Sequence, residues 1–392
     1  MRIAYLLPDP GIPVGGSKGA SVHVAEVSRA LAAAGHQVLL LAMRATGDAP
    51  PGVELRVLDP GPLGRGPEGD PARVAAGARF YLEADLLVRA FRPDLLYERL
   101  SAFAGEGTDL ARRLGVPRLV EVNAPVIAER AGYQGVANVG VGERLERRAL
   151  DGAHVLAVSE ALAAWARSRG AASVHVVPNG VDVARFAHDP AAAARTRAAL
   201  GIEEARVVGF AGSLKPWHGV DVLLAAAARL SSARPDLRVL VVGDGPERTR
   251  LESIAATLLP GRVVFTGAIP NAAIPAHLAA FDVAAAPYVA PAGSVGFYFS
   301  PMKVVEAMAA GRPVVASRFP SIEALLAGFG RLVPPGDVTA LAAAIDQALD
   351  DPDAGAVAER ARQRAAADHD WTAVARIITD TTAALDARRF AA

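Results

Sequence analysis

The chain has 392 residues, 52% of them hydrophobic, which is too long for one ordinary core and too apolar for a disordered chain, so two domains are expected. Lysine plus arginine equals aspartate plus glutamate at 41 each, so no global basic field exists to hold a nucleic acid backbone. There are no cysteines, which excludes a disulfide framework, cysteine zinc sites and thiol catalysis.

The first segment, MRIAYLLPDP, carries one arginine and a short apolar run that Pro8 and Pro10 break, so it reads as a strand and not as a signal peptide. No run approaches the roughly 18 apolar residues of a membrane span. A cytoplasmic protein is expected, with peripheral membrane contact left open. Strand-length apolar runs then alternate with stretches of helical period: RIAYLLP (2–8), ASVHVAEVSRALAAAG (20–35), QVLLLAM (37–43) and VELRVLD (53–59). The alternation continues through a helix near 71–91, DLLYERL (94–100), RLVEVN (118–123), a helix near 141–153, HVLAVS (154–159) and VHVVPNGV (174–181). This is the βαβ signature of a parallel, doubly wound sheet.

Residues 182–205 carry no strand and mark the expected hinge. A second series follows: RVVGFAG (206–212), RVLVVGDG (238–245), RVVFTG (262–267), VAAAPY (283–288), PVVAS (313–317) and GRLVPPGD (330–337), with helices between. Two Rossmann-like α/β domains are therefore expected, with WTAVARIITDTTAALDARR (371–389) as a helix beyond the last strand.

In open α/β sheets ligands bind beyond the carboxyl ends of strands, where helix N-termini offer unpaired N–H groups and a positive dipole end. Three strand-to-helix turns fit that description. PDPGIPVGGSKGASVHV places Gly11, Gly15, Gly16 and Gly19 between the first strand and first helix, either as a ligand-approaching backbone or as a plain surface loop. FAGSLKPWHGVDVLLAAAARL repeats the design with Gly212 and Gly219 around Lys215 and His218; the cation suits a phosphate, and equally suits solvent. In GFYFSPMKVVEAMAAG, Ser300 is suited to capping and Pro301 to the first helical turn, with Lys303 and Glu306 neighbours at i, i+3. A surface ion pair there is worth only about 0.3–0.5 kcal/mol. A lysine at a helix start also opposes the dipole, a cost that a bound anion reverses. In GDGPE (243–247), Asp244 either binds a hydroxyl or caps the next helix.

At these residues the sequence resembles the bacterial retaining glycosyltransferases of family four. The carriers, in order along nearly the whole chain, are GGSKGASVHV, GHQV, YERLSAF, EVNAP, AVSEAL, VPNGVDVARF, FAGSLKPWHGVDVLL, VVGDGPER, VVFTGAIP, SPMKVVEAMAAGRPVVAS and GRLVPPGD. The resemblance implies a GT-B fold, two Rossmann-like domains facing each other across a cleft. It divides the chain into an acceptor-binding N-terminal domain (1–184), a nucleotide-sugar-binding domain (185–370), and a C-terminal helix (371–392) returning to the N-domain. It implies sugar transfer from a nucleotide diphosphate donor to an acceptor hydroxyl with retained configuration. No cofactor and no metal are called for, and the acceptor is a glycan, a lipid-linked sugar or a natural product.

Residue by residue, Glu306 matches the family glutamate that bonds the donor ribose, and Gly15 and Gly16 match the glycine pair at the diphosphate. The Lys215 turn matches the diphosphate-binding turn of the second domain. Gly212, Ser213, His218, Gly243, Tyr298, Phe299, Ser300 and Pro301 join the donor site by the same correspondence. Lys18, His23, Glu98 and Asn123 are assigned to the acceptor or sugar pocket. The chain departs from the pattern at Ser213 and His218, where relatives carry arginine and lysine, which leaves Lys215 to supply the displaced charge. It departs again at Tyr298, where the family has a first glutamate facing the sugar; Lys303 lies between, as in an SPxK variant. Lys215 and Lys303 are the expected catalytic groups, stabilising the leaving diphosphate. The rival readings are a 2-epimerase, a phosphorylase, or a non-catalytic nucleotide-sugar-binding subunit.

Overall fold

The computed structural model of the chain describes residues 1–16, 18–187, 189–290 and 296–390, with backbone alone for 386–390. The chain divides into two units, the first made of Met1–Asn179, Ala292–Ser300 and Trp371–Ala392, the second of Gly180–Pro291 and Pro301–Asp370.

In the first unit the described residues form seven strands: β1 (Arg2–Leu7), β2 (Gln37–Ala42), β3 (Val53–Val57), β4 (Leu95–Arg99), β5 (Arg118–Val122), β6 (His154–Ala157) and β7 (Ser173–Val176). They pair in the order β3-β2-β1-β4-β5-β6-β7, and every neighbouring pair is parallel. In β1 and β2 five of six residues are buried, as a parallel sheet covered on both faces requires. Parallel neighbours need crossovers, and the helix Gly19–Ala33 supplies the first by laying Val24, Val27 and Leu31 inward.

The second unit repeats the plan with β8 (Arg206–Ala211), β9 (Leu237–Val242), β10 (Val263–Phe265), β11 (Val283–Ala286), β12 (Val314–Ser317) and β13 (Arg331–Val333). Its order is β10-β9-β8-β11-β12-β13, again parallel throughout. The helix Val220–Leu230 contributes Leu223 and Leu224, and the helix Val338–Asp350 contributes Leu341 and Ile345, to a core over β8, β9 and β11. Gly209 on β8 is needed there, because a Cβ would stand 2.1 Å from the ring of the fully buried Phe281. Both strand orders reverse at one place, between β1 and β4 in the first unit and between β8 and β11 in the second. These are the switch points where an α/β sheet leaves a crevice at its carboxyl edge.

The thirteen expected strands form, with two corrections to the domain limits. The leading segment of the first unit ends at Asn179, where 184 is expected, and 182–205 holds a helix, Pro190–Leu200, started by the Asp189 side chain accepting from Ala192 N–H at 2.9 Å. The residues just before Pro301, expected in the second domain, belong to the first unit. Tyr298 is only 5% exposed and packs with Leu100, Val120, Val155 and Leu162, and Ser159 Oγ donates to its carbonyl at 2.7 Å. The apolar burial of a large ring outweighs sequence proximity to β11 and β12. The helix Trp371–Phe390 also belongs to the first unit; Trp371 is buried with its ring edge-on to His23 at 5.1 Å.

Candidate active site

In the second unit two turns meet at the switch point. From β8 the chain passes through Gly212 and the turn Pro216–His218 into the helix Val220–Leu230. Gly219 has φ 64°, and a Cβ there would stand 1.9 Å from the Pro287 carbonyl oxygen, so only glycine lets this turn lie against the end of β11. Gly243 has φ 128°, and its Cβ would stand 2.1 Å from the Gly212 carbonyl oxygen. Gly243 is thus a spacer that lets the two turns touch. Asp244 is engaged locally, with Oδ1 accepting from Gly245 N–H at 2.7 Å and Oδ2 accepting from Arg248 at 3.2 Å, which decides its role in favour of the turn.

Lys303 enters from the helix Met302–Ala309, whose first turn has no side-chain cap and no acidic residue. Its Nζ lies 4.6 Å from the ring centroid of Phe210 on β8 and 4.6 Å from that of Tyr288 just beyond β11. It is shielded from solvent and makes no hydrogen bond. The stem rests on Gly212, where a Cβ would come within 2.8 Å of Lys303 Cε and 3.1 Å of Nζ. Burial lowers the Lys303 ammonium from 10.5 to about 7, Lys215 adding to the effect and Glu306 opposing it. Burial likewise raises the Glu306 carboxyl, against the pull of Arg185 and Lys303.

Lys215 Nζ stands over the Trp217 ring at 4.7 Å. His218 Nδ1 donates to the Ser213 carbonyl, which leaves Nε2 as an acceptor. Burial, with Lys303 and Lys215 close by, lowers His218 to about 2, so its ring is neutral at any ordinary pH. An uncapped helix start, an amine without an acceptor and a second lysine thus converge at the carboxyl edge of one sheet. That combination receives anions.

The first unit carries a different arrangement at its own switch point. Period-2 alternation along β4 sends Tyr97 and Arg99 to one face and Glu98 to the other. On one face Glu121 of β5 accepts from Tyr5 at 3.1 Å, Tyr97 at 2.8 Å and Arg99 at 2.7 Å, and also from Asn123. His23 Nε2 lies 2.6 Å from Glu121 Oε1, and Nδ1 lies 2.9 Å from Asn179 Oδ1. Asn179 donates Nδ2–H to the Ser300 carbonyl at 2.7 Å, which fixes its amide so that both His23 nitrogens face oxygens. Burial alone would raise the Glu121 carboxyl, but the charges of His23 and Arg99 hold it well below the usual range. Asp9, beyond β1, accepts from Gly11 N–H at 2.7 Å; burial raises its carboxyl against that N–H and the charges of Arg99, Arg130 and Lys18.

Several expected site residues are corrected by this geometry. Glu98 is 1% exposed and held by Tyr81 O–H at 2.5 Å and Arg118 Nε at 2.6 Å, so no oxygen faces a sugar; it balances a buried arginine. His23 is buried with both nitrogens engaged and works as a strut between Glu121 and Asn179. Ser300 does not cap the helix that follows: its Oγ accepts from Asn179 N–H at 2.9 Å, and the N-cap position is Pro301. Tyr298 is a core residue of the first unit, its hydroxyl raised by burial and by nearby Glu129; Phe299 packs beside it at 4.3 Å between ring centroids. Gly15 and Gly16 are, besides, held to glycine by packing: a Cβ on Gly15 would stand 2.7 Å from Gly47 Cα, and one on Gly16 would stand 2.8 Å from Ser21 Oγ. Lys18 is exposed and caps nothing. Phe210, Tyr288, Arg185 and Glu121 were missing from the expected site. A charge inside a strand buried on both faces, as in RLVEV, is the signal that reveals Glu121.

Residues 17–185 match the family model described as Glycosyltransferase Family 4, and residues 205–351 match that described as Glycosyl transferases group 1. The 2-deoxystreptamine glucosyltransferase of Streptomyces kanamyceticus is 35% identical over 265 residues, which is 63% of this chain and 65% of that relative. A D-inositol 3-phosphate glycosyltransferase of Streptomyces avermitilis is 31% identical over 413 aligned positions, covering 98% of this chain and 86% of the relative. Among solved structures, sucrose-phosphate synthase from Thermosynechococcus elongatus is similar with a TM-score of 0.78 at 25% identity, over 99% of this chain and 100% of that one. Anabaena HepE, solved with UDP and glucose, has a TM-score of 0.75 at 22% identity, over 98% of this chain and 100% of that one, and speaks for the fold. Two parallel Rossmann-like sheets, family matches in both halves and a relative aligned over nearly the whole chain agree: the chain belongs to the family 4, group 1 glycosyltransferases.

Proposed function

We propose that this glycosyltransferase moves a sugar from a nucleotide diphosphate sugar to an acceptor hydroxyl with retention of configuration and without a metal ion. The observation that carries the reading is the Lys303 amine, out of solvent and without a hydrogen bond, beside the uncapped helix start and the Lys215 turn. Departure of a nucleoside diphosphate places negative charge on phosphate oxygens. Fixed donors aimed at such charge are each worth roughly 3–4 kcal/mol, against under about 1 kcal/mol for a surface ion pair. Lys303, Lys215 and the turn N–H groups supply that stabilisation, Glu306 takes the ribose hydroxyls, and the phosphate oxygen that leaves accepts the proton of the attacking hydroxyl. In this scheme the two lysines carry the charge stabilisation at the leaving diphosphate.

Labelled UDP- and GDP-sugars offered with candidate acceptors, the product configuration read by proton NMR, test the reading. Lys215→Ala is expected to lower kcat with an unchanged circular dichroism spectrum. Full activity in that variant contradicts the assignment, and 2-epimerised or phosphorolysed products would put the chain in another class.

A further inference from the structure

The Lys303 amine is poorly placed for a permanent cation. Around it, among the described residues, stand the Phe210 and Tyr288 rings, each 4.6 Å away, Gly212 beneath its stem, neutral His218 and Lys215 on the β8 turn, and Glu306 one helical turn along. Among the described residues Glu306 and the two ring faces favour the charged form, against burial and the neighbouring Lys215, and the Glu306 carboxyl is drawn partly toward Arg185. No oxygen accepts a hydrogen bond from Nζ.

We propose that a nucleoside diphosphate binding in the second unit loads a proton onto Lys303, so that the amine enters the site neutral from slightly alkaline solution and becomes the ammonium that faces the phosphates. This rests on the donor-site reading above. The step balances simply: one proton leaves water or buffer, adds to the Nζ lone pair, and the new N–H groups donate to phosphate oxygens that were absent before. Lys303 lowered to about 7 is mostly neutral at pH 8, and two phosphate charges at contact distance favour the ammonium as Glu306 alone does not. The same event primes catalysis, because the cation is created only where leaving-group charge is about to appear. It also makes donor affinity depend on pH: as pH rises above about 7 the free site must gain a proton before binding, so affinity falls by up to roughly tenfold per unit.

Calorimetric titration of the full chain with UDP, GDP, ADP and dTDP tests this, run at pH 8 in buffers of small and of large ionisation enthalpy. The nucleotides are fully ionised at that pH, so proton uptake reports on the protein. The slope of apparent enthalpy against buffer enthalpy is expected to show uptake of roughly 0.7–0.9 proton per nucleotide bound at pH 8. Lys303→Gln is expected to bind more weakly and without uptake. Binding with no uptake at pH 8 overturns the proposal, as does uptake that persists in Lys303→Gln, which would place the proton on another group. If that variant binds nothing, the wild-type value at pH 8 decides, since a lysine charged throughout gives zero uptake there. Absence of binding by every diphosphate instead defeats the donor-site reading itself.

Discussion

At Lys303 packing and hydrogen bonding are in conflict, as the proposed role of the residue requires. Its stem is packed on Gly212 and its amine is enclosed by two rings, yet nothing in the fold accepts its protons. An unsatisfied buried donor costs on the order of 1–3 kcal/mol, more when charged. Lys303→Met keeps the stem and removes the amine. It is expected to leave thermal stability unchanged or raise it, while lowering kcat about 10²- to 10³-fold. Steady-state kinetics and a melting curve on the same preparation check both parts, and a destabilised but active variant would contradict them. Glu121 is the opposite case: Tyr5, Tyr97 and Arg99 donate to it and His23 Nε2 lies 2.6 Å from Oε1, so both carboxylate oxygens are engaged.

Elements, not isolated side chains, place these groups. The helix Val126–Tyr133 begins where Glu146, buried on the helix Val139–Leu150, accepts from Ile127 N–H at 3.2 Å. Burial raises the Glu146 carboxyl from 4.5 to about 7. A carboxyl with a folded value above its unfolded one contributes stability that is complete below about 4.5 and lost as pH rises through about 7. Glu146→Gln keeps an oxygen for Ile127 N–H and abolishes the titration. It is expected to be more stable than the wild type by about 1–3 kcal/mol at pH 8, with the difference vanishing below pH 4.5. Thermal melts across that range decide it; a difference independent of pH would mean that the Glu146 carboxyl titrates alike in the folded and unfolded chain. In the second unit, the turn after β8, the turn after β9 and the end of β11 close on one another only because Gly219 and Gly243 lack Cβ atoms.

At the scale of the whole chain there are two parallel sheets, each with apolar packing of its own, and the nucleotide site proposed above belongs to the second. Differential scanning calorimetry is therefore expected to show a calorimetric enthalpy above the van't Hoff value. A saturating diphosphate at about 100 times its Kd is expected to stabilise the second unit's transition by roughly 2.7 kcal/mol. A single two-state transition indifferent to nucleotide would contradict both statements. The thirteen strands, their parallel sense and the division into two sheets were legible in the sequence, because runs such as RIAYLL and RVVGFA carry the pattern of a sheet buried on both faces. So were the glycine-bearing turns and Lys303, since a cation at a helix start after a strand is a local feature. Which charges face each other was not legible. Glu98 and Glu121 look alike in LLYER and RLVEV, and only register and period-2 alternation send one to Tyr81 and Arg118 and the other to Tyr5, His23 and Arg99. Tyr298 likewise lies next to the Lys303 helix in sequence and in the first unit's core in space. Apolar periodicity is written within a few residues and fixes the elements; the partner of a buried charge or ring is set by residues far along the chain, 139 positions apart for Ser159 and Tyr298 and 156 for His23 and Asn179, and so by tertiary packing alone.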